Sequence, residues 1–134
     1  MRFMVMVVGP DDSGPPDSQM LADMGRYNEQ LIKAGVMKAG EGLLPTKAGA
    51  RLTFSKGKPT VTDGPFPEAK EVIGGFWIFE TVSLAETLEW ARKIPFVEGK
   101  VEIRQVAETE DYVADDISRE TLEKEKEWQK TLRT

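Results

Sequence analysis

One short segment, residues 61–71, concentrates side chains that could do acid–base chemistry. Asp63 stands near its start and could act as a general base if the fold buries it in part. It could equally have a structural role and accept hydrogen bonds from amides of its own turn, which would lower the pKa of its carboxyl group. Gly64 and Pro65 predict a tight turn in either case, and Phe66 could then insert into the core.

Other residues could complete a site around this acid. Glu41 could supply a second carboxylate, and Arg104 could neutralise it or hold an anionic ligand. The same two residues could instead form an ion pair across neighbouring strands. Asp63, Glu41 and Arg104 are therefore the candidate catalytic residues. The candidate ligand-binding residues are the rings and charges expected near them: Tyr27, Phe66, Lys70, Glu71 and Trp77.

The absence of two residue types removes whole classes of chemistry. The chain contains no Cys and no His, so disulfides, thiolate nucleophiles and imidazole bases are excluded. A metal site would have to be built from oxygen atoms alone. The sequence has no phosphate-binding or dinucleotide-binding glycine motif. We therefore predict neither a metal site nor a cofactor.

Charge and hydropathy limit the partners. The formal net charge of −5 has the wrong sign for non-specific binding to nucleic acids or to anionic membrane surfaces. No stretch approaches the roughly 20 apolar residues of a membrane helix. The apolar run at the N-terminus lacks the length and the cleavage site of a signal peptide. We expect a cytoplasmic protein.

The pattern of apolar residues predicts the elements that must position these side chains. Both faces of residues 3–8 are apolar, which is typical of a central strand. A helix is expected from Asp17 or Ser18 to about Ala34, ended by Gly35. Ser83 and Glu86 form a capping box for a second helix, with Leu84, Leu88 and Ala91 facing inward. The other predicted strands span residues 36–44, 52–54, 60–62, 72–81 and 100–107.

This order predicts an α+β fold. Without the hairpin at residues 52–62 it is βαββαβ, the ferredoxin-like split βαβ. Right-handed crossovers place both helices on one face of the sheet. The opposite face would also be partly apolar, which favours pairing with a second copy of the chain. We divide the chain into a domain, residues 1–112, and a charged C-terminal helical tail, residues 113–134.

Several motifs together resemble the YCII-related family, in particular the branch named for an Asp-Gly-Pro-Phe motif. The resemblance covers about residues 1–112 and implies a dimeric α+β barrel that is ferredoxin-like in each subunit. In YCII-like proteins a His and an Asp have been suggested as a catalytic pair, and that mechanism cannot be transferred to a chain without His. The motifs are Gly40-Glu41-Gly42-Leu43 with Pro45, Thr62 to Phe66, Lys70-Glu71, Gly74-Gly75-Phe76-Trp77, and Val101-Glu102-Ile103-Arg104 with Val106.

Two functions remain open at this point. The first is binding of a small metabolite, or cofactor-free catalysis, in a pocket around the Asp63 turn of a homodimer. The second is a non-catalytic regulatory or protein-interaction module, because some relatives are joined to extracytoplasmic-function sigma factors. Whether the protein is an enzyme is undecided by its sequence.

Overall fold

The computed structural model describes residues 1–11, 14–112, 115 and 118–133. The proposed boundary at residue 113 and the tail residues 113, 114, 116, 117 and 134 lie outside this part. The strands are β1 (Arg2–Gly9), β2 (Met37–Gly42), β3 (Ala50–Ser55), β4 (Lys58–Asp63), β5 (Val72–Glu80) and β6 (Lys100–Gln105). The helices are α1 (Ser18–Lys33), α2 (Leu84–Ala91) and α3 (Arg119–Leu132), and short 3-10 turns occupy Thr46–Ala48 and Thr109–Asp111.

Four strands form one antiparallel sheet in the order β2-β5-β1-β6. Each βαβ unit crosses over one intervening strand, so β1 lies between β5 and β6. This is the ferredoxin-like arrangement, and the fold class predicted from the sequence is confirmed. Within the part of the chain that the structure describes, β3 and β4 pair only with each other, as the inserted hairpin. The C-terminal helix is present as α3.

The core lies between the sheet and the helices α1 and α2. Val5 of β1 and Phe79 of β5 are fully buried there against Leu31 of α1. Strand side chains alternate between faces, so Val5 and Val7 of β1 and Trp77 and Phe79 of β5 enter this core from the same face. Ile94, after α2, packs in the same cluster.

The ends of α1 follow from capping chemistry. The Asp17 side chain accepts a hydrogen bond from the Met20 amide, at 2.8 Å. At the other end Gly35 has φ +72°, a conformation that a side chain disfavours. Its amide bonds to Ile32 O at 3.0 Å, and the next amide, of Val36, bonds to Leu31 O at 2.9 Å. These two bonds are those of a Schellman motif, so the predicted glycine stop is confirmed.

The inward face of α2 differs from the prediction. Leu84 and Leu88 are 50% and 38% exposed, whereas Thr87 is fully buried. The Thr87 hydroxyl lies 2.6 Å from that of Thr81, and the two form a hydrogen bond. A threonine can be buried when its hydroxyl is paired in this way, so the helix turns Thr87 and not Leu88 toward the sheet.

The second face of the sheet is apolar and faces away from α1 and α2. In register across the sheet, Ile78 opposes Met4, and Phe76 opposes Met6. Met6 is only 6% exposed at the centre of this face, and the other three are half-buried. We call this surface, formed by Met4, Met6, Ala39, Phe76 and Ile78, the open face.

The helix α3 packs mainly against the 3-10 turn Thr109–Asp111. Its apolar side chains Trp128 and Leu132 are 55% and 76% exposed. Within the described residues, no helix is both long enough and apolar enough to cross a membrane.

Candidate functional site

The segment 64–71 connects β4 to β5 at one end of the main sheet. Its position follows from the strand register there: Gly9, the last residue of β1, pairs with Val72, the first residue of β5. Lys100, the first residue of β6, pairs with Val8. We call the segment from Asp63 to Glu71 the Asp63 turn.

A hydrogen-bonded network of Asp11, Thr46 and Phe66 holds this turn in place. The Asp11 carboxylate accepts hydrogen bonds from the Thr46 amide, at 2.8 Å, and from the Thr46 hydroxyl. The same hydroxyl oxygen accepts a hydrogen bond from the Phe66 amide, at 3.2 Å. The Thr46 hydroxyl, followed by the Thr46 amide, holds the pKa of Asp11 below its ordinary value. The network therefore joins three loops that are far apart in sequence.

Asp11 and Thr46 were not among the site residues predicted from the sequence. Asp11 follows the first strand directly, and an acid at the end of a strand is a weak indication of a site. Its bond to a residue 35 positions away could not be derived, because nothing in the local pattern says that the two loops meet.

Gly64 lets two stretches of backbone touch. Its amide donates to Gly49 O at 3.0 Å. A Cβ on Gly64 would lie 1.7 Å from Thr46 O, far inside any contact distance. The peptide bond between Gly64 and Pro65 is cis. The glycine of the motif is thus required by packing against the loop 45–49.

Asp63 is the last residue of β4 and pairs with Ala50 of β3. It is exposed, and its carboxylate has no hydrogen bond or ion pair with any residue that the structure describes. Asp63 therefore does not cap its own turn, which was one of the two roles open from the sequence. The supported turn presents a free carboxylate.

Phe66 was expected to insert into the core, and this is wrong. It is half-buried, and the Arg51 guanidinium of the hairpin covers its ring at 4.0 Å from the centroid. Arg51 also pairs with Glu68 at 2.5 Å, and this hydrogen bond keeps the pKa of Glu68 below its ordinary value. A cation–π contact and an ion pair thus tie the hairpin to the turn.

The two charged residues at the end of the turn differ in their partners. Glu71 pairs with Lys100 of β6 at 2.6 Å. Lys70 is exposed and has no ion pair within the described ranges. Lys70 is thus available to a ligand, whereas Glu71 is already neutralised.

Glu41 and Arg104 do not form the predicted ion pair across neighbouring strands. Glu41 lies on β2 and Arg104 on β6, which are the two edges of the sheet. Three strand spacings separate them, about 14 Å. Both side chains point to the open face, because Glu41 is in register with Phe76 and Arg104 with Met4.

Tyr27 and Trp77 lie on the other side of the sheet, in the core. Their rings meet edge to face at 6.0 Å. The Trp77 indole N–H donates to Asn28 Oδ1 at 2.9 Å, and the Tyr27 hydroxyl donates to Trp90 O at 2.7 Å. Burial raises the pKa of Tyr27. The sheet itself separates these two rings from the open face.

The structure thus distributes the predicted residues over three places: the core, the open face and the Asp63 turn. Two shallow depressions, of about 240 and 420 Å³, lie between α1 and the loop 93–95 and beside α3, and the turn lines neither of them. Among the described residues, acidic side chains do not gather in a group of three that could hold a metal ion. The chemistry available at the turn is that of an exposed carboxylate without a partner among the described residues.

Comparison with known proteins gives two matches. The family model of the YCII-related domain matches residues 1–110. An uncharacterized protein of Rhizobium meliloti (strain 1021) is 34% identical over 94 residues, which are 68% of this chain and 76% of that protein. The range of the family match includes the strands of the main sheet and the Asp63 turn.

Proposed function

This chain belongs to the YCII-related domain family, and from that premise we propose that it binds a small metabolite at the Asp63 turn, in a space closed by a second copy. The Asp-Gly-Pro-Phe branch and a cytoplasmic location are part of the same proposal. The observation that carries it is the free Asp63 carboxylate on a turn that other groups hold in place. Binding sites need groups that are fixed before the ligand arrives.

The supporting groups leave Asp63 itself unused. Asp11 and Thr46 fix the loop beneath the turn, and Gly64 packs directly on that loop. The Thr46 and Phe66 amides and the Thr46 hydroxyl are the donors in this network. Among the described residues, none donates to the Asp63 carboxylate. An acid held this way can accept a hydrogen bond or bind a cationic group of a ligand without first giving up a partner.

A second copy would provide the cover. The open face exposes methionine and aromatic side chains that one chain leaves partly in contact with water. Such a surface is often buried by the same surface of another subunit. Covering it would create an apolar space at the end of the sheet that carries Asp63, with the unpaired Lys70 near its entrance.

Enclosure by a second copy would also exclude water from the Asp63 carboxylate. A carboxylate in a site from which water is excluded can serve as a general base toward a bound ligand. The proposed ligand therefore has an apolar body and a group that donates a proton or hydrogen bond to Asp63. Reaction without a cofactor would follow if that proton is acidic.

A thermal-shift screen of metabolites tests the proposal, with Asp63→Asn as the informative variant. A ligand at a hundredfold excess over its Kd should stabilise the wild type by about 2.7 kcal/mol. The variant should lose this stabilisation, while Glu98→Gln, at another exposed acid without a described partner, should keep it. If every metabolite leaves the wild type unchanged, or stabilises Asp63→Asn equally, the proposal is wrong.

The alternative is a non-catalytic interaction module. One observation favours it: Trp128 and Leu132, one turn apart on α3, remain largely exposed. A module of this kind should retain a protein partner on a column, and removal of the residues after Asp115 should abolish the retention. Turnover of a metabolite by the purified protein without any partner would contradict it.

A further inference from the structure

One face of the hairpin β3–β4 is apolar and open to water. In an antiparallel pair, directly opposed residues lie on the same face, and so does every second residue along each strand. The register pairs Leu52 with Val61 and Phe54 with Pro59. Leu52, Phe54 and Val61 are each more than half exposed. We call this surface, formed by Leu52, Phe54, Pro59 and Val61, the hairpin face.

Asp63 lies at one end of the hairpin face. It pairs with Ala50 and stands two residues beyond Val61 on β4, so the alternation of strand side chains places its carboxylate on the same face. Along the strand, its Cα is about 7 Å from that of Val61 and about 13 Å from that of Pro59. The free acid of the turn therefore adjoins an apolar strip on its own pair of strands.

The opposite face of the hairpin is the one tied to the turn. Arg51 belongs to that face because it pairs with Thr62 in the ladder. Its guanidinium covers the Phe66 ring and pairs with Glu68, so it does not neutralise Asp63. Among the residues of β3 and β4, all of which the structure describes, Asp63 is the one charged residue on the hairpin face.

We propose that the hairpin face and Asp63 together bind an organic cation with an apolar body, namely a primary amine on an alkyl or aromatic chain. The inference rests on the proposed function and names the ligand class of that site. The Asp63 carboxylate accepts a charge-assisted hydrogen bond from the ammonium group, and the hairpin face removes the chain from water. The strip extends about 13 Å from the acid, which suits an extended chain.

Charge favours the amine over other amphiphiles. A carboxylate or phosphate on the ligand would face the Asp63 carboxylate with no cation of β3 or β4 on that face, and like charges oppose binding. A neutral hydroxyl group can donate a hydrogen bond to the acid, whereas an ammonium group adds an attraction between opposite charges. The net charge of −5 also favours the approach of cations.

Isothermal titration calorimetry with n-octylamine, n-octanol and n-octanoate tests the ligand class on the full-length protein. Octylamine should bind the wild type with a Kd at least about fivefold lower than that of octanol, and octanoate should bind most weakly. Asp63→Asn should abolish the preference for the amine over the alcohol, because it removes the charge and keeps the shape of the side chain.

Two substitutions test the hairpin face separately from the carboxylate. Phe54→Thr and Val61→Thr remove apolar surface at exposed positions and supply a β-branched residue, which strands favour. The double variant should raise the Kd of octylamine and of octanol alike, by at least about fivefold. Thr53→Ala, on the opposite face of the same hairpin, is the matched control and should leave both values unchanged.

The results distinguish this inference from the proposed function. The inference is wrong if octylamine does not bind, if it binds no better than octanol, or if the double variant leaves its Kd unchanged. The proposed function then stands where the metabolite screen finds another ligand that Asp63→Asn loses, and both fail if no compound depends on Asp63. Weaker self-association of the double variant in sedimentation, with octylamine binding unchanged, would assign the hairpin face to a contact between chains and also contradict the inference.

Discussion

At the scale of single residues, this protein separates groups that hold the turn from groups that remain free. Asp11 uses its carboxylate to hold Thr46, so it is structural despite its place beside the turn. The Asp63 carboxylate has no hydrogen bond or ion pair among the described residues. Two aspartates about 50 positions apart in sequence thus differ in role. Asp11 is structural because its carboxylate accepts hydrogen bonds, whereas the Asp63 carboxylate is left available to a ligand.

The close approach at Gly64 gives a residue-scale prediction. Gly64→Ala should destabilise the protein by about 1–3 kcal/mol or more, because the new methyl group would overlap the Thr46 carbonyl. Gly74→Ala, where no atom lies within 4 Å of the new carbon, should change the free energy of unfolding by less than about 1 kcal/mol. Urea denaturation measures both, and equal effects would contradict the packing at Gly64.

A second residue-scale prediction concerns the core. Asn28→Ala removes the acceptor of the Trp77 indole N–H, and an unpaired buried donor costs about 1–3 kcal/mol. Gln30→Ala changes an exposed position of the same helix and should alter stability by at most about 0.5 kcal/mol. Thermal unfolding of the two variants compares them directly. Equal stabilities would show that the indole finds another partner.

At the scale of elements, capping residues determine where the helices begin and end, and contacts at its base hold the hairpin in place. The hairpin β3–β4 has only exposed residues, including Phe54 at 69%. A two-stranded hairpin is marginally stable in isolation. It is held at its base, by Gly64 on Gly49 and by Arg51 on Phe66. Its stability therefore depends on the Asp63 turn that follows it.

Two glycines of one helix give the prediction at this scale. Gly25 is inside α1 with open space around it, so Gly25→Ala should stabilise the protein by up to about 1 kcal/mol. Gly35 ends the helix at φ +72°, so Gly35→Ala should destabilise it by about 1 kcal/mol or more. The free energy of unfolding from chemical denaturation should thus change in opposite directions. The same sign for both would contradict the Schellman stop.

At the scale of the whole molecule, one carboxylate joins the two ends of the chain. Glu108 accepts hydrogen bonds from Arg2 of β1, at 2.8 and 3.2 Å, and from Arg133 after α3, at 3.0 Å. The hydrogen bond from Arg2, with a smaller one from Arg133, lowers the pKa of Glu108 below its ordinary value of 4.5. The tail helix is thus attached to the sheet by an ion-pair network.

This network predicts a pH dependence. A carboxyl group whose pKa is lower in the folded state stabilises the protein above its unfolded pKa and loses that effect as the pH falls through the folded value. Glu108 should therefore contribute fully at neutral pH and progressively less below about pH 4.5. Glu108→Gln should lower Tm at neutral pH and make its fall in acid shallower. A parallel fall in both proteins would contradict the role of Glu108.

The sequence by itself determined the elements and their order. Alternating and helical periodicities predicted the strands and α1, while Asp17, Gly35 and Ser83 marked helix ends through bonds that span at most five residues. The order βαββαβ with right-handed crossovers then gave the fold. All of this rests on short-range backbone chemistry, which a linear pattern contains.

Only the tertiary structure decided which side chains meet. It placed Glu41 and Arg104 on opposite edges, since β2 and β6 are separated by the two central strands. It placed Trp77 in the core, and it joined Asp11 to Thr46 across 35 positions. These outcomes depend on strand order and on loop packing, which arise from long-range contacts that no local pattern specifies. The free Asp63 carboxylate is therefore a finding of the fold, although the turn that carries it was evident in the sequence.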